Sequence, residues 1–244
     1  MASKYQAFKF KQFTVSHENS AMKVGTDSVL LGCLAVNKQA QHALDIGTGS
    51  GLLALMMAQQ SDAQIKAVEI NQEACIDASF NFKHSSWANR IELFNQSIQT
   101  FCENKYLNYF DWILSNPPYF EEEENFEIQT DSRKTARQNK SLSFKDLLAA
   151  IAYLLHSNGM AAMVLPSSVA ATIKPQIVEQ NLFIRQEIAI HSFAYHAPKR
   201  TIFILQKNKI EPVYSQFVIY QENKTYTEAY YQLTKEFYLW LDRT

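Results

Sequence analysis

The sequence has 244 residues, of which 47% are hydrophobic and 19% are charged, and its formal net charge at pH 7 is −1. This length is enough for one α/β domain with a full core, and the ordinary composition argues against a disordered chain. The near-neutral charge excludes the strongly basic surface of a non-specific nucleic-acid binder, so any nucleic-acid contact has to be local.

Helical and strand-like segments alternate along most of the chain. Apolar periodicity and helix-starting residues predict helices, the first of them capped by Thr26 or Asp27, over residues 26–36, 52–60, 71–83, 143–156, 168–180 and 227–242. Short apolar or alternating runs predict strands over residues 41–46, 64–70, 90–95, 109–115, 159–165, 182–191, 200–206 and 213–220. This alternation predicts an α/β fold with a mostly parallel twisted sheet of about seven strands, helices on both faces and a closing antiparallel hairpin.

No linker or internal repeat divides the sequence, so a single domain is expected over residues 1–244. Within it, residues 1–40 form an N-terminal segment with a capping helix, residues 41–206 the ligand-binding and catalytic core, and residues 207–244 a C-terminal strand and helix. The aromatic-rich stretch near the end favours a packed helix face over a base-stacking surface.

A glycine-rich motif follows the first strand of the predicted core. The run Leu44-Asp45-Ile46-Gly47-Thr48-Gly49-Ser50-Gly51 places three glycines at alternate positions where a strand turns into a helix. Glycine suits a tight turn that a ligand approaches without meeting a Cβ atom. The spacing differs from the G-x-G-x-x-G pattern of dinucleotide sites, which favours a ligand without pyrophosphate. A plain glycine turn with no ligand is the alternative.

An acidic residue near the end of the next predicted strand supports a nucleoside ligand. Glu69 lies 24 residues after Asp45, and a carboxylate at this place can accept hydrogen bonds from both hydroxyls of a ribose. The turn and the acid together therefore predict a site for a nucleoside without a pyrophosphate.

The strand predicted over residues 109–115 runs directly into Asn116-Pro117-Pro118-Tyr119. Two prolines fix φ and lack N–H groups, so the chain after Asn116 is stiff. If the Asn116 side-chain oxygen and the Pro117 carbonyl accept hydrogen bonds from a planar amino group, they orient its nitrogen for attack without a strong base. Tyr119 is positioned to stack on a planar substrate. The alternative is a rigid turn with no catalytic role.

Taken together, these motifs resemble the class I, Rossmann-like methyltransferases that modify exocyclic or amide nitrogens. The similarity spans about residues 20–206. It implies S-adenosylmethionine as cofactor, and it places Ser97 where many members have an aspartate facing the adenine. The cofactor-binding residues expected from the resemblance and the motifs are Lys23, Thr26, Asp45, Gly47, Gly49, Gly51, Glu69, Ile70, Ser97 and Asn116.

Three further segments resemble the bacterial tRNA1(Val) adenine-37 N6-methyltransferases in particular. They are Lys-Val-Gly-Thr-Asp-Ser-Val-Leu-Leu-Gly at residues 23–32, the segment at 133–148, and Ala-Pro-Lys-Arg-Thr at 197–201. The resemblance implies N6-methylation of an adenosine beside a tRNA anticodon, with tRNA as partner and no obligate protein partner. The basic residues expected to contact RNA phosphates are Arg133, Lys134, Arg137, Lys140, Lys199 and Arg200; a solvated loop is the alternative for them.

Other functions are compatible with the same motifs. Protein glutamine N5-, ribosomal RNA guanine N2- and DNA adenine N6-methyltransferases also act on NH₂ groups, although they resemble longer chains or carry extra segments. A non-catalytic RNA-binding module on the same fold is an alternative from another class, which the complete glycine motif, Glu69 and Asn116 argue against.

The remaining features favour a cytoplasmic enzyme without metal. The first ten residues hold no apolar run of signal-peptide length, and no stretch is long and apolar enough for a membrane span. Cys33, Cys75 and Cys102 are widely spaced and lack the pairing of zinc ligands, so they are expected to be free thiols. The six histidines show no spacing for a metal site or a nucleophile triad.

Overall fold

The computed structural model describes residues 7–20, 22–103, 105–117 and 142–239. The strands are β1 (Phe8–Lys9), β2 (Thr14–Val15), β3 (His42–Ile46), β4 (Gln64–Glu69), β5 (Ile91–Asn95), β6 (Phe110–Ser115), β7 (Leu155–Pro166), β8 (Phe183–Phe193), β9 (Arg200–Gln206) and β10 (Val213–Tyr220). The α-helices are α1 (Thr26–Leu34), α2 (Leu52–Gln60), α3 (Gln72–Lys83), α4 (Ile98–Cys102), α5 (Phe144–Leu154), α6 (Ser167–Glu179) and α7 (Glu228–Thr234).

Within the described residues, eight strands form one sheet in the order β10-β8-β9-β7-β6-β3-β4-β5. The strands from β7 to β5 are parallel to one another, whereas β9 is antiparallel to both β7 and β8. Strand β10 lies outside β8 and runs parallel to it. The mostly parallel sheet and the closing hairpin β8–β9 are therefore confirmed, with β10 as the eighth strand.

The order of the sheet creates a crevice at one edge. Along the chain, β3 is followed by β4 and β5 on one side, and then by β6 and β7 on the other. Loops after β3 and β6 consequently diverge, and the carboxyl ends of such strands form the usual ligand crevice of open α/β sheets.

Helices cover both faces of the sheet and bury one core on each. On the first face, α1, α2, α3 and α7 pack with the small sheet β1–β2, and the Trp112 indole donates to the Ala35 carbonyl at 2.7 Å. On the second face, α4, α5 and α6 pack over β6, β7 and β9. Both cores are rich in fully buried aliphatic and aromatic side chains, which stabilise the sheet by removing apolar area from water.

Two sequence-based predictions for helix ends are wrong. Helix α1 is capped by Gly25 without a side-chain bond, since Asp27 instead accepts from Arg200 on β9 at 2.7 Å. At its other end the helix stops at Leu34 rather than at residue 36. The terminal helix stops at Thr234 rather than continuing through the predicted range to 242. Beyond it, Phe237 folds back to pack against the N-terminal hairpin, and its carbonyl accepts from Lys11 N at 2.8 Å.

None of the three cysteines forms a disulfide bond. Cys33 and Cys75 are buried, Cys102 is half-buried, and all three are free; burial raises the pKa of Cys33 to about 12. Across the described residues, no helix is long and apolar enough to cross a membrane, and no three acidic, histidine or cysteine side chains are grouped to hold a metal ion.

Candidate active site

The chemistry-bearing motifs meet at the carboxyl edge of the sheet. The glycine-rich turn follows β3, Glu69 ends β4, Ser97 follows β5, and Asn116 follows β6. These four strands are parallel neighbours. The fold thus brings together residues that are as far apart in the sequence as Asp45 and Asn116.

The turn after β3 is built from left-handed glycines. Gly47, Gly49 and Gly51 have φ values of 70°, 55° and 88°, a region that side-chain-bearing residues rarely adopt. The N–H groups of Gly47 and Thr48 both donate to the Val68 carbonyl, at 2.9 and 3.1 Å. The turn is thereby fixed against β4.

The three glycines differ in what surrounds them. A Cβ atom at Gly47 or Gly49 would meet nothing within 4 Å, whereas one at Gly51 would lie 2.4 Å from Cε1 of Phe82. Gly47 and Gly49 therefore border open space that a ligand can fill. Gly51 instead allows α2 and α3 to pack closely, and its place in the motif is structural.

Asp45 lies beneath this turn and is completely buried. One of its oxygens, Oδ2, accepts from the Thr48 hydroxyl at 2.5 Å and from Ala54 N at 3.1 Å, while Oδ1 has no partner in the described part of the chain. Burial raises the pKa of the Asp45 carboxyl from 3.8 to about 7, against the opposing effect of these hydrogen bonds. Through its hydrogen bonds to Thr48 and Ala54, Asp45 fixes the shape of the glycine-rich turn.

The carboxylate of Glu69 joins two loops at the edge of the site. Its Oε2 accepts from Gly49 N at 2.9 Å and its Oε1 from Asn71 N at 2.8 Å. An ionised carboxylate has about four acceptor positions, so capacity remains for ligand hydroxyls. The glutamate is half-buried, and its contact with a ligand lying over the glycine turn stays a prediction.

Residues beyond Glu69 complete this side of the site. Ile70 follows at the surface, with 57% of its side chain exposed and no core packing. Asn95, at the end of β5, donates to the carbonyls of Glu69 and Ile70 at 3.0 and 3.3 Å. Ser97 caps α4, with its hydroxyl oxygen accepting from Thr100 N at 3.1 Å.

Asn116 is held in one orientation by a residue that the sequence did not single out. Its Nδ2 donates to the Ser28 hydroxyl oxygen, in the first turn of α1, at 2.9 Å. Its Oδ1 is buried and has no hydrogen-bond partner among the described residues. A buried acceptor without a partner is costly, so this oxygen is available to a donor. Pro117, next along the chain, is also buried.

A second unpredicted arrangement ties residues 16–20, here called the strap, to α3. The Asp77 carboxylate accepts four hydrogen bonds from Asn19 and Ser20, at 2.7 to 2.9 Å. Asn81 exchanges hydrogen bonds with the Ser16 backbone at 2.8 and 2.7 Å, and it also donates to the Ser50 carbonyl at 2.8 Å. The strap is thereby linked to the glycine-rich turn.

Lys23 and Thr26 are both expected at the cofactor, and Lys23 contacts this strap. The Lys23 ammonium donates to the carbonyls of His17 and Ser20 at 2.6 and 3.2 Å, which anchors the end of the strap. Thr26 is exposed at the start of α1. The structure therefore gives Lys23 a role in holding the chain, and contact with a cofactor stays a prediction for both residues.

The basic residues expected to bind RNA fall into two groups. Lys199 is exposed, while the Arg200 guanidinium pairs with Asp27 at 2.7 Å and ties β9 to α1. Both lie at the carboxyl edge, because Arg200 is opposite Pro166 at the end of β7. The other predicted site residues lie outside the described part of the chain: Pro118, Tyr119, Arg133, Lys134, Arg137 and Lys140.

A family model, the methyltransferase small domain, matches residues 18–144, which include the glycine turn, Glu69 and Asn116. A solved structure described as a predicted O-methyltransferase from Agrobacterium tumefaciens superposes with a TM-score of 0.67 at 16% identity, covering 86% of this chain and 96% of that one. The fold and the site define a Rossmann-like methyltransferase.

Relatives found by sequence show which family of methyltransferases the chain belongs to. A tRNA1(Val) (adenine(37)-N6)-methyltransferase from Shewanella sp. (strain MR-4) is 40% identical over 96% of this chain and 99% of its own length. One from Bacteroides fragilis (strain YCH46) is 37% identical over 95% of this chain and 97% of its own. The chain belongs to the family of tRNA1(Val) (adenine(37)-N6)-methyltransferases.

Proposed function

We propose that this protein transfers the methyl group of S-adenosylmethionine to N6 of adenosine 37 in tRNA1(Val). The main support is the match to relatives bearing that name over nearly their whole length, at about 40% identity. A match over 96% of this chain spans the glycine-rich turn, Glu69 and Asn116 together. With tRNA as substrate, the proposed place of action is the cytoplasm.

The residues around the glycine turn fit this cofactor. Open space over Gly47 and Gly49 admits a ligand that approaches the backbone closely, Glu69 offers acceptor capacity for ribose hydroxyls, and exposed Ile70 offers an apolar contact for a base. Ser97 lies at the same edge. When bound, S-adenosylmethionine supplies a methyl group activated by its sulfonium.

Asn116 is proposed to orient the acceptor nitrogen. The lone pair of an adenine amino group is delocalised into the ring, so the nitrogen is a weak nucleophile. A hydrogen bond from this NH₂ group to the buried Oδ1 of Asn116, and a second to the Pro117 carbonyl, favour a pyramidal nitrogen with its lone pair directed at the methyl group. The bond from Asn116 Nδ2 to Ser28 keeps Oδ1 facing the acceptor.

No charged base adjoins this amide among the described residues that bond to it. Orientation and hydrogen bonding, rather than removal of a proton beforehand, therefore activate the nitrogen. The proton is released to solvent after the methyl group has been transferred, when the methylated nitrogen is positively charged and acidic. Asn116 accepts the hydrogen bond without itself taking up this proton.

The RNA is proposed to bind through exposed basic residues at the same edge. Lys199 is placed for a phosphate contact, and Arg133, Lys134, Arg137, Lys140 and Arg200 remain predicted contacts. Neutralising phosphates in this way adds affinity without reading the sequence.

The function is tested by methyl transfer to defined acceptors. Labelled S-adenosylmethionine is supplied with tRNA1(Val) transcripts that carry adenosine or guanosine at position 37, and in parallel with genomic DNA, ribosomal RNA and a protein extract. The proposal expects label only in RNA that carries adenosine 37, and labelling slower by on the order of 10²–10³ with Asn116→Ala. Label in DNA, ribosomal RNA or protein, with an unlabelled tRNA, would assign another acceptor to the same site.

A further inference from the structure

A group of aromatic side chains lies on the opposite side of Asn116 from the predicted cofactor residues. The cofactor residues follow β3, β4 and β5, whereas Phe193 ends β8 and Tyr220 ends β10. Strand β8 is parallel to β10, and Phe193 pairs with Tyr220. Both strands thus end at the same edge as Asn116, with β8 three strands from β6, or about 14 Å at the usual strand spacing.

These side chains form a stack that reaches from solvent to the core. Tyr195 stacks on Phe193 with ring centroids 5.5 Å apart, and Phe193 lies 5.5 Å from Tyr220. Tyr220 contacts Tyr226 at 5.0 Å, and Tyr226 stacks on the buried Tyr230 at 4.5 Å. We call the outer members, Phe193, Tyr195, His196 and Tyr220, the aromatic ledge.

The outer end of the ledge is exposed and held in place. Tyr195 is 64% exposed, although its turn is closed by a hydrogen bond from His196 N to Phe193 O at 3.0 Å. The His196 carbonyl also contacts Nδ1 of His191 at 2.7 Å. A large aromatic ring is therefore presented to solvent on a fixed turn, which lowers the entropy lost when a planar ligand stacks on it.

A hollow beside Tyr195 and two nearby lysines indicate which kind of ligand this surface can bind. The hollow lies between the turns after β8 and β10, and Glu222 and Asn223 line it beside the rings. Lys199 and Lys224 are exposed on the same two turns. A carboxylate inside the hollow disfavours a phosphate there, whereas the lysines outside it favour one. This arrangement suits an unpaired base with its phosphates toward the lysines.

We propose that the aromatic ledge binds an unpaired base of the RNA that flanks the target adenosine, with Tyr195 as the stacking residue. The inference rests on the proposed function and extends it to a second contact. The predicted cofactor residues lie on the side of β3 to β5, so a strand that runs from Asn116 over β7, β9 and β8 avoids the methyl donor. The ledge lies on that path, and loop bases stack readily on exposed aromatic rings.

The test compares two equally exposed tyrosines at opposite edges of the sheet. Tyr195→Ala removes the outer ring of the ledge, and Tyr214→Ala removes a 68% exposed ring near the start of β10. Binding is measured by fluorescence anisotropy with a labelled anticodon stem-loop and with a blunt RNA duplex of the same length. Binding of S-adenosylhomocysteine and the melting temperature are measured on the same samples.

Loss of one stacked base corresponds to roughly a 5- to 150-fold weaker affinity. We expect Tyr195→Ala to lose this much for the stem-loop but not for the duplex, to raise KM for tRNA with little change in kcat, and to bind S-adenosylhomocysteine normally. Tyr195→Trp should retain affinity, and Tyr214→Ala should stay within about twofold of wild type.

Three results would overturn the inference: unchanged stem-loop affinity in Tyr195→Ala, an equal loss in Tyr214→Ala, or an equal loss for the duplex. In each case wild-type protein still methylates adenosine 37, so the proposed function stands. A wild-type protein that neither binds nor methylates the tRNA would refute the proposed function itself, and the ledge with it.

Discussion

The hydrogen bond between Asn116 and Ser28 allows the proposed role of the amide to be tested by a double-mutant cycle. Asn116→Ala removes the acceptor, and the loss of one preorganised transition-state contact usually costs on the order of 10²–10³ in rate. Ser28→Ala keeps the amide but removes its 2.9 Å anchor. One such bond is worth about 0.5–1.5 kcal/mol, or roughly a 2- to 13-fold slower reaction.

The two substitutions should not be additive, because Ser28 acts only through Asn116. We expect the double variant to be no slower than Asn116→Ala alone in single-turnover methyl transfer with saturating cofactor and tRNA. Ser28→Thr, which keeps a hydroxyl, should recover most of the rate. Cofactor affinity and melting temperature serve as controls and should hardly change. If Ser28→Ala slowed the Asn116→Ala variant by its full factor, the serine would act independently and the positioning argument would fail.

Four further predictions follow from the site. Because burial raises the pKa of Asp45 to about 7, ionisation is penalised in the fold, so the unfolding free energy of the wild type without cofactor should fall by roughly 3 kcal/mol from pH 4 to 7 relative to Asp45→Asn; parallel urea-denaturation profiles would contradict this. Gly51→Ala should cost roughly 1–3 kcal/mol from its positive φ, with more from the clash, and Gly25→Ala, at φ −126°, much less; equal losses in thermal unfolding would refute the packing role. Glu69→Gln should weaken S-adenosylhomocysteine binding roughly 10- to 150-fold in calorimetry, since a charge-assisted bond is lost; full affinity would remove the ribose assignment. Lys199→Ala should reduce the slope of log K for tRNA binding against log salt concentration by about one unit; an unchanged slope would mean that Lys199 does not contact a phosphate.

The general fold could be predicted from the sequence because hydrophobic residues recur at a regular spacing in the long helices and strands. The alternation of β3 to β6 with α2 and α3 reveals a parallel sheet, and parallel strands put their carboxyl ends at one edge. The glycine turn, Glu69 and Asn116 were therefore expected to meet. The hairpin β1–β2 was missed because strands of two residues show no periodicity.

Contacts between side chains that are far apart in the sequence could not be predicted in the same way. Ser28 lies 88 positions from Asn116, and a hydroxyl in the first turn of a helix usually signals a cap or a solvated surface. Asp77 lies on α3, and its hydrogen-bond partners are in an irregular segment that follows no sequence pattern. The end of α7 was misplaced because aromatic residues continue at helical spacing after Thr234, and only contact with Phe10 shows that Tyr238 folds back.

The linkage of the strap to α3 and the glycine turn has a consequence for how the protein opens. Asn81 donates to the carbonyls of both Ser16 and Ser50, so the strap and the glycine-rich turn are held by the same side chain of α3. Such segments tend to exchange their amide hydrogens as one cooperative unit. Ligand binding at the turn should then slow exchange at residues 16–20 as well, although those residues need not touch the ligand.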